Sequence, residues 1–274
     1  MKMGNGRIRT AVFFGAAVLL LAGITLAGFL LSREAMVTDF SRKDLAPGLP
    51  YLFGTDWLGR DMLARALTGL SMSIRLGLLA AGISSLIALG LGIASATMGR
   101  AVDSVITFII DLVMGIPHIL LLILISYACG KGFQGVVIGV SLTHWTSLAR
   151  LIRGEVLQLR ETGYVKMAEK LGMSRFHIAW KHMFPHLFPQ FLVGLILLFP
   201  HAILHEASIT FLGFGLSPEQ PAIGIILSES MKYLAMGKWW LAVFPGLLLV
   251  LTVVLFDTAG ESLRKLLNPG STHD

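Results

Sequence analysis

Six apolar runs, each close to the length of a membrane crossing, constrain this chain more than any other feature. A spanning helix needs about twenty mostly apolar residues. Such runs fall at about Arg9–Leu31, Ser73–Met98, Ser104–Cys129, Phe133–Leu148, Leu187–Phe211 and Trp239–Phe256. The chain has 274 residues, of which 55% are hydrophobic and 14% charged. Soluble domains carry about 25% charged residues, so too little polar surface is available here to cover a water-soluble fold. The expected architecture is all-α and integral to a membrane, with six spanning helices.

The first run follows Lys2, Arg7 and Arg9. It is too long for the roughly 7–15-residue apolar region of a signal peptide and has no clear small-residue cleavage site, so it reads as a retained first helix. The net charge of +6 and pI near 9.7 do not point to nucleic acid, because the basic residues lie between apolar runs rather than in one patch. With the N-terminus inside, the inner segments hold thirteen Lys and Arg and the outer segments eight. The positive-inside rule then favours cytoplasmic N- and C-termini. The outer segment 32–70 is charge-balanced by Glu34, Asp39, Asp44, Asp56 and Asp61. Cys129, the one cysteine, excludes an internal disulfide and a cysteine metal cage and reads as a small hydrophobe.

The second run is dense in small residues, including Gly77, Ala80, Ala81, Ser84, Ser85, Ala88 and Gly92. These allow close helix packing in lipid, although a generic Ala- and Gly-rich membrane helix reads the same way. Asp111 interrupts the third run and fits a structural role near the cytoplasmic end better than a substrate contact. Pro117 is expected to kink that helix. The polar segment Arg150–His186 reads as two short amphipathic helices with a turn at Gly172. In the first, Tyr164, Val165, Ala168 and Leu171 share a face. Ser174 is the expected N-cap of the second, which contains Phe176, Ile178 and Ala179, and Pro185 is expected to close it. Such a helix–turn–helix is a docking surface, or else a basic helix lying on anionic lipid.

The residues of this segment resemble the coupling motif of ATP-binding-cassette (ABC) importer permeases: Glu161, Tyr164, Val165, Met167, Ala168, Gly172, His182 and Pro185 match its spacing, with Met167 in place of the usual Ala. Three further stretches resemble the dipeptide, oligopeptide and nickel permeases of that class, in particular the shorter of their two permeases. They are Gly54-Thr55-Asp56-Trp57-Leu58-Gly59-Arg60-Asp61 before the second helix, Gly99-Arg100-Ala101-Val102-Asp103 at an inner turn, and Phe211-Leu212-Gly213-Phe214-Gly215 after the fifth. The resemblance implies a six-helix ABC importer transmembrane domain in the cytoplasmic (inner) membrane. Residues 1–72 would form an N-terminal helix and extracytoplasmic loop, and 73–274 the core permease, with the coupling segment at 150–186. It further implies a second, homologous permease subunit, two ABC ATPase subunits that bind ATP and Mg, and an extracytoplasmic solute-binding protein. In that family Glu161, Tyr164, Ala168, Gly172, His182 and Pro185 would serve ATPase coupling, and this chain itself would bind no cofactor.

Cargo is less constrained. His201 and His205 lie four apart on one face of the fifth helix, a spacing that suits one metal ion. Both resemble the nickel permeases, as does the His144-Trp145 pair, whereas Glu206 resembles the peptide branch. His144, His201, His205 and Glu206 are therefore the candidate pathway residues, with His201 and His205 the candidate metal ligands. Nickel or a metal chelate is the first expectation for the cargo, and a dipeptide or oligopeptide the alternative. Hydrogen bonding between helices is the structural alternative for the histidines. His177, His182 and His186 form a second group, which family and position explain without a metal. Among other function classes, an intramembrane protease built on Ser141 and His144 lacks a G-x-S-x-G context. A self-powered ATPase lacks a phosphate loop, and a secondary transporter lacks paired broken-helix repeats. An exporter would differ in needing no binding protein.

Overall fold

The computed structural model describes residues 3–267, and the side chains of residues 3–5, 175 and 176 lie outside what it describes. Among the described residues the chain is helical, with one isolated antiparallel bridge, Thr55–Asp61. The helices are α1 (Met3–Leu30), α2 (Met62–Thr97), α3 (Arg100–Gly115), α4 (His118–Ala128), α5 (Gly132–Arg160), α6 (Gly163–Lys170), α7 (Arg175–Ile178), α8 (Phe184–Phe211), α9 (Ile223–Leu234) and α10 (Trp240–Leu267). Five of these, α1, α2, α5, α8 and α10, are long and apolar enough to cross a membrane. α3 and α4 are together apolar enough to count as a sixth span, broken by a 100° bend between them.

α2 is the central helix, packed against α1, α3, α5, α8, α9 and α10. Its small residues make this possible. A Cβ on Gly92 would lie 2.9 Å from both the Ala149 carbonyl oxygen and the Ile152 Cβ of α5, so no larger residue fits at that crossing. α1 joins the bundle through buried Ala17 and Leu21 and packs against α2 and α10.

α2 begins eleven residues before Ser73, the start expected from the sequence. Asp61 caps it, accepting hydrogen bonds from the backbone of Leu63 and Ala64. The polar residues that hid its first turns are each matched to a partner. The Thr68 hydroxyl donates to the Gly28 carbonyl at 3.1 Å and the Ser71 hydroxyl to the Thr25 carbonyl at 2.9 Å, both on α1. Arg65 reaches Asp56 at 2.6 Å and Glu229 at 2.9 Å.

That pair of contacts explains the Gly54–Asp61 stretch. Asp56 is 2% exposed. Its carboxylate accepts from the Leu58 and Arg60 amides and from the side chains of Arg60 and Arg65. The loop is further held by the Thr55 hydroxyl, which donates to the Arg42 carbonyl and accepts from the Leu45 amide, and by the Lys238–Asp44 ion pair at 2.6 Å. The stretch is a structural clasp joining the loop to α2 and to α9.

Other boundaries also move. α5 continues through Arg150–Arg160, because its basic residues there find partners on neighbouring helices: Arg153 grips Asp103 of α3 with two bonds of 2.6 and 2.7 Å, Arg150 meets Asp111 of α3 at 2.7 Å, and Arg160 donates to the Ala96 carbonyl of α2 at 2.6 Å. Asp111 thus has the structural role expected. α9, absent from the sequence expectation, buries Ile223, Ile225 and Ile226 in the half-polar stretch before the last span. Pro185 does not close a helix. It stands in the first turn of α8, where a missing N–H is tolerated, and a π-helical turn, Ala179–Met183, joins α7 to α8 almost without interruption. Cys129 caps the C-terminal end of α4 and is exposed rather than packed as a core hydrophobe.

Candidate functional site

The break between α3 and α4 is local chemistry. A proline disfavours the α conformation in the residue before it, and Ile116 is extended at φ −89°, ψ 137°. The kink expected at Pro117 is therefore a full turn of the chain, and it sets His118 as the first residue of α4.

His118 faces His144 of α5 and His205 of α8. Ring centroids lie 4.7 Å apart for His118–His144, 4.4 Å for His118–His205 and 5.0 Å for His144–His205. The three rings border a cleft of about 580 Å³, lined also by Val113–Pro117, Thr143, Thr146, Ser147, Leu198 and His201. One ring nitrogen from each of the three histidines falls within 4.8 Å of the other two.

His144 Nδ1 lies 3.0 Å from both the Val140 carbonyl oxygen and the Thr143 hydroxyl, which itself donates to the Gly139 carbonyl at 2.9 Å. His205 Nδ1 lies 3.0 Å from His144 Nε2. A neutral His144 with its proton on Nδ1 donates to the Val140 carbonyl and accepts at Nε2 from His205 Nδ1–H. His118 Nε2 is buried without a hydrogen-bond partner.

Of the pathway residues expected from the sequence, His144, His201 and His205 line the cleft. His201 is exposed at its edge, outside the close group of three. Glu206 points elsewhere: it is fully buried, accepts from the Thr210 hydroxyl at 2.9 Å, and is absent from the cleft lining. Ser141 donates to the Ala80 carbonyl rather than to His144. His118 escaped the sequence analysis because Pro117 drew attention to the kink alone. Its signal was present, since an ionisable side chain inside an apolar run is unusual enough to mark function.

The segment α6–α7 forms a separate surface. Val165 and Ala168 pack inward, whereas Tyr164, Met167, Leu171 and Met173 are exposed. The single apolar face expected from Tyr164 to Leu171 is thus split into a buried half and a bare half. Gly172 turns the chain at φ +76°. The Ser174 hydroxyl accepts from the His177 amide, as expected of an N-cap; the Phe176 side chain lies outside the described residues. Glu161 pairs with Lys166 at 2.7 Å, and that hydrogen bond holds its carboxyl below the usual carboxylate range. The Tyr164 ring sits 6.4 Å from His182 and 5.6 Å from His186. Pro185 lies beyond, in the first turn of α8.

The comparisons with known proteins agree with this architecture. Residues 86–273 match the family described as binding-protein-dependent transport system inner membrane component. A putative peptide transport system permease protein of Brucella suis is 34% identical over 92% of this chain and 84% of its own length. The dipeptide transport system permease protein of Bacillus subtilis is 30% identical over 88% and 75%. Among solved structures, the MetNI methionine ABC transporter in an inward-facing conformation has a chain covered to 98%, with 76% of this one, at a TM-score of 0.64 and 17% identity, a likeness of fold. The chain therefore belongs to the family of binding-protein-dependent inner-membrane transport components, as a multi-pass permease subunit of an ABC importer.

Proposed function

We propose that this chain is the shorter permease of an importer for dipeptides or oligopeptides. The observation that carries the cargo is the similarity, at 30–34% identity over most of the chain, to permeases named for peptide and dipeptide transport. That similarity favours peptide over the nickel cargo that the histidine spacing alone puts first. The chain works beside a second, homologous permease, receives cargo from an extracytoplasmic binding protein, and takes its energy from two ATPase subunits that hydrolyse ATP with Mg. Those ATPases dock on α6–α7. The exposed apolar residues Tyr164, Met167 and Leu171 present the kind of face that an amphipathic helix lays in a groove, and Glu161, Gly172, His182 and Pro185 shape it. The test is uptake: cells or proteoliposomes carrying the full transporter will accumulate radiolabelled dipeptide in an ATP- and binding-protein-dependent manner. Failure to move any dipeptide or short oligopeptide would remove the reading.

A metal chelate is the second reading, favoured by the three histidines at the cleft.

In this arrangement both termini are cytoplasmic and the clasp that contains Asp56 is extracytoplasmic, as the distribution of basic residues suggests. Ser41 is exposed in that loop. A Ser41→Cys substitution in a Cys129→Ala background will react with a membrane-impermeant thiol reagent added to intact spheroplasts. Reaction only after lysis would reverse the orientation.

A further inference from the structure

We propose that His118, His144 and His205 form a transition-metal site on the transport path, and that it receives a divalent late first-row metal ion carried in complex with a peptide. The proposal deepens the peptide-import reading and rests on it for the identity of the metal's other ligands.

The donor set is built for a metal. Imidazole nitrogens suit Zn, Cu, Ni and Fe, and metal–nitrogen bonds of about 2.0–2.1 Å in a tetrahedral array place donor atoms roughly 3.4 Å apart. The three nitrogens lie within 4.8 Å of one another, so modest rotations of the rings close the set. His144 is already oriented as a ligand. With its Nδ1–H on the Val140 carbonyl, its Nε2 points at the other rings, where it meets His205 Nδ1 and a metal ion would displace that bond; an Nδ1–H···O=C bond of this kind orients metal-bound histidines. His118 is the informative member. Inter-helix hydrogen bonding accounts for His144 and His205, which bond each other, but His118 Nε2 is buried with no partner. Buried polar atoms are rarely left so, and a metal ion between the rings would satisfy it.

Three imidazoles leave at least one coordination position open. The cleft beside them, about 580 Å³, has room for a small chelating molecule. A peptide supplies an amine, amide groups and a carboxylate, so it can complete the coordination and travel with the ion. Three neutral ligands and no carboxylate in the cleft lining also hold an ion less tightly than a charged cage, as release requires.

The test uses the assembled transporter in lipid nanodiscs with Co²⁺ as the probe. Co²⁺ will give visible ligand-field absorption saturating at one ion per copy of this chain. His118→Ala, whose Nε2 makes no hydrogen bond to lose, will weaken that binding by about 10- to 100-fold, a loss of the size seen when a metal site is damaged. Cys129→Ala, which removes the exposed thiol at the end of α4, will leave it unchanged. In proteoliposomes, uptake of a Co²⁺–dipeptide complex will fall in His118→Ala, whereas uptake of the same dipeptide in the presence of a metal chelator will not. Absence of the absorption in the wild type, or absorption unchanged in His118→Ala, overturns the metal site while leaving peptide import standing. Metal binding without uptake of any peptide overturns the peptide ligand and, with it, the peptide-import reading.

Discussion

Replacing Asp56 with alanine will destabilise the transporter by about 3–5 kcal/mol, the size expected when one partner of a buried ion pair is removed. Arg60 and Arg65 are nearly buried, with side chains 11% and 6% exposed. Without the Asp56 carboxylate their remaining acidic partner is Glu229, which is 2.9 Å from Arg65 and 3.6 Å from Arg60. Asp56→Asn will be nearly as damaging, since it retains the shape and loses the charge. Asp61→Ala, which removes only the cap of α2, will cost about 1 kcal/mol. Thermal denaturation of the purified complex in detergent will rank the three. An Asp56→Ala protein that melts with the wild type would show that the clasp has no energetic role.

Gly172→Val will depress transport and substrate-stimulated ATP hydrolysis together while leaving the bundle assembled. Gly172 adopts φ +76°, and a Cβ added there meets nothing within 4 Å. The penalty is therefore one of backbone conformation alone. A side chain in the left-handed region costs roughly 1–2 kcal/mol, a factor of about 5–30 against the native turn. That turn sets the direction of the exposed α6 face. Substrate-stimulated ATP hydrolysis and uptake will drop together, with co-purification of the ATPases as the measure of docking. Gly172→Asn will recover most of the activity, because asparagine tolerates that conformation. Normal stimulation in the valine variant would sink the docking assignment.

The spans were legible in the sequence because apolar runs of spanning length admit few alternatives. Their ends were not. α2 starts at Met62 and α5 runs to Arg160 because Arg65, Thr68, Ser71 and Arg153 find partners on other helices. Polarity that reads as loop in one dimension is satisfied in three. α9 was hidden for a similar reason: its apolar residues alternate with Ser228, Glu229, Ser230 and Lys232, and Glu229 is spoken for by Arg65. At the cleft, helical spacing correctly paired His201 with His205 on one helix, but the close group takes only His205 and completes itself from α4 and α5. Residues 26 to 87 positions apart cannot be joined by periodicity. Glu206 shows the converse, a charged residue next to the site whose helix turns it into the protein.

The interruption at Pro117 also bears on hydration. The last four carbonyls of a helix lack intrahelical partners, and those of α3 end at the cleft wall formed by Val113–Pro117. Hydrocarbon would charge several kcal/mol for each bare carbonyl, and such backbone persists at membrane depth only where it is buried in protein or borders water. Wherever the break lies at membrane depth, protein or water must therefore cover these carbonyls.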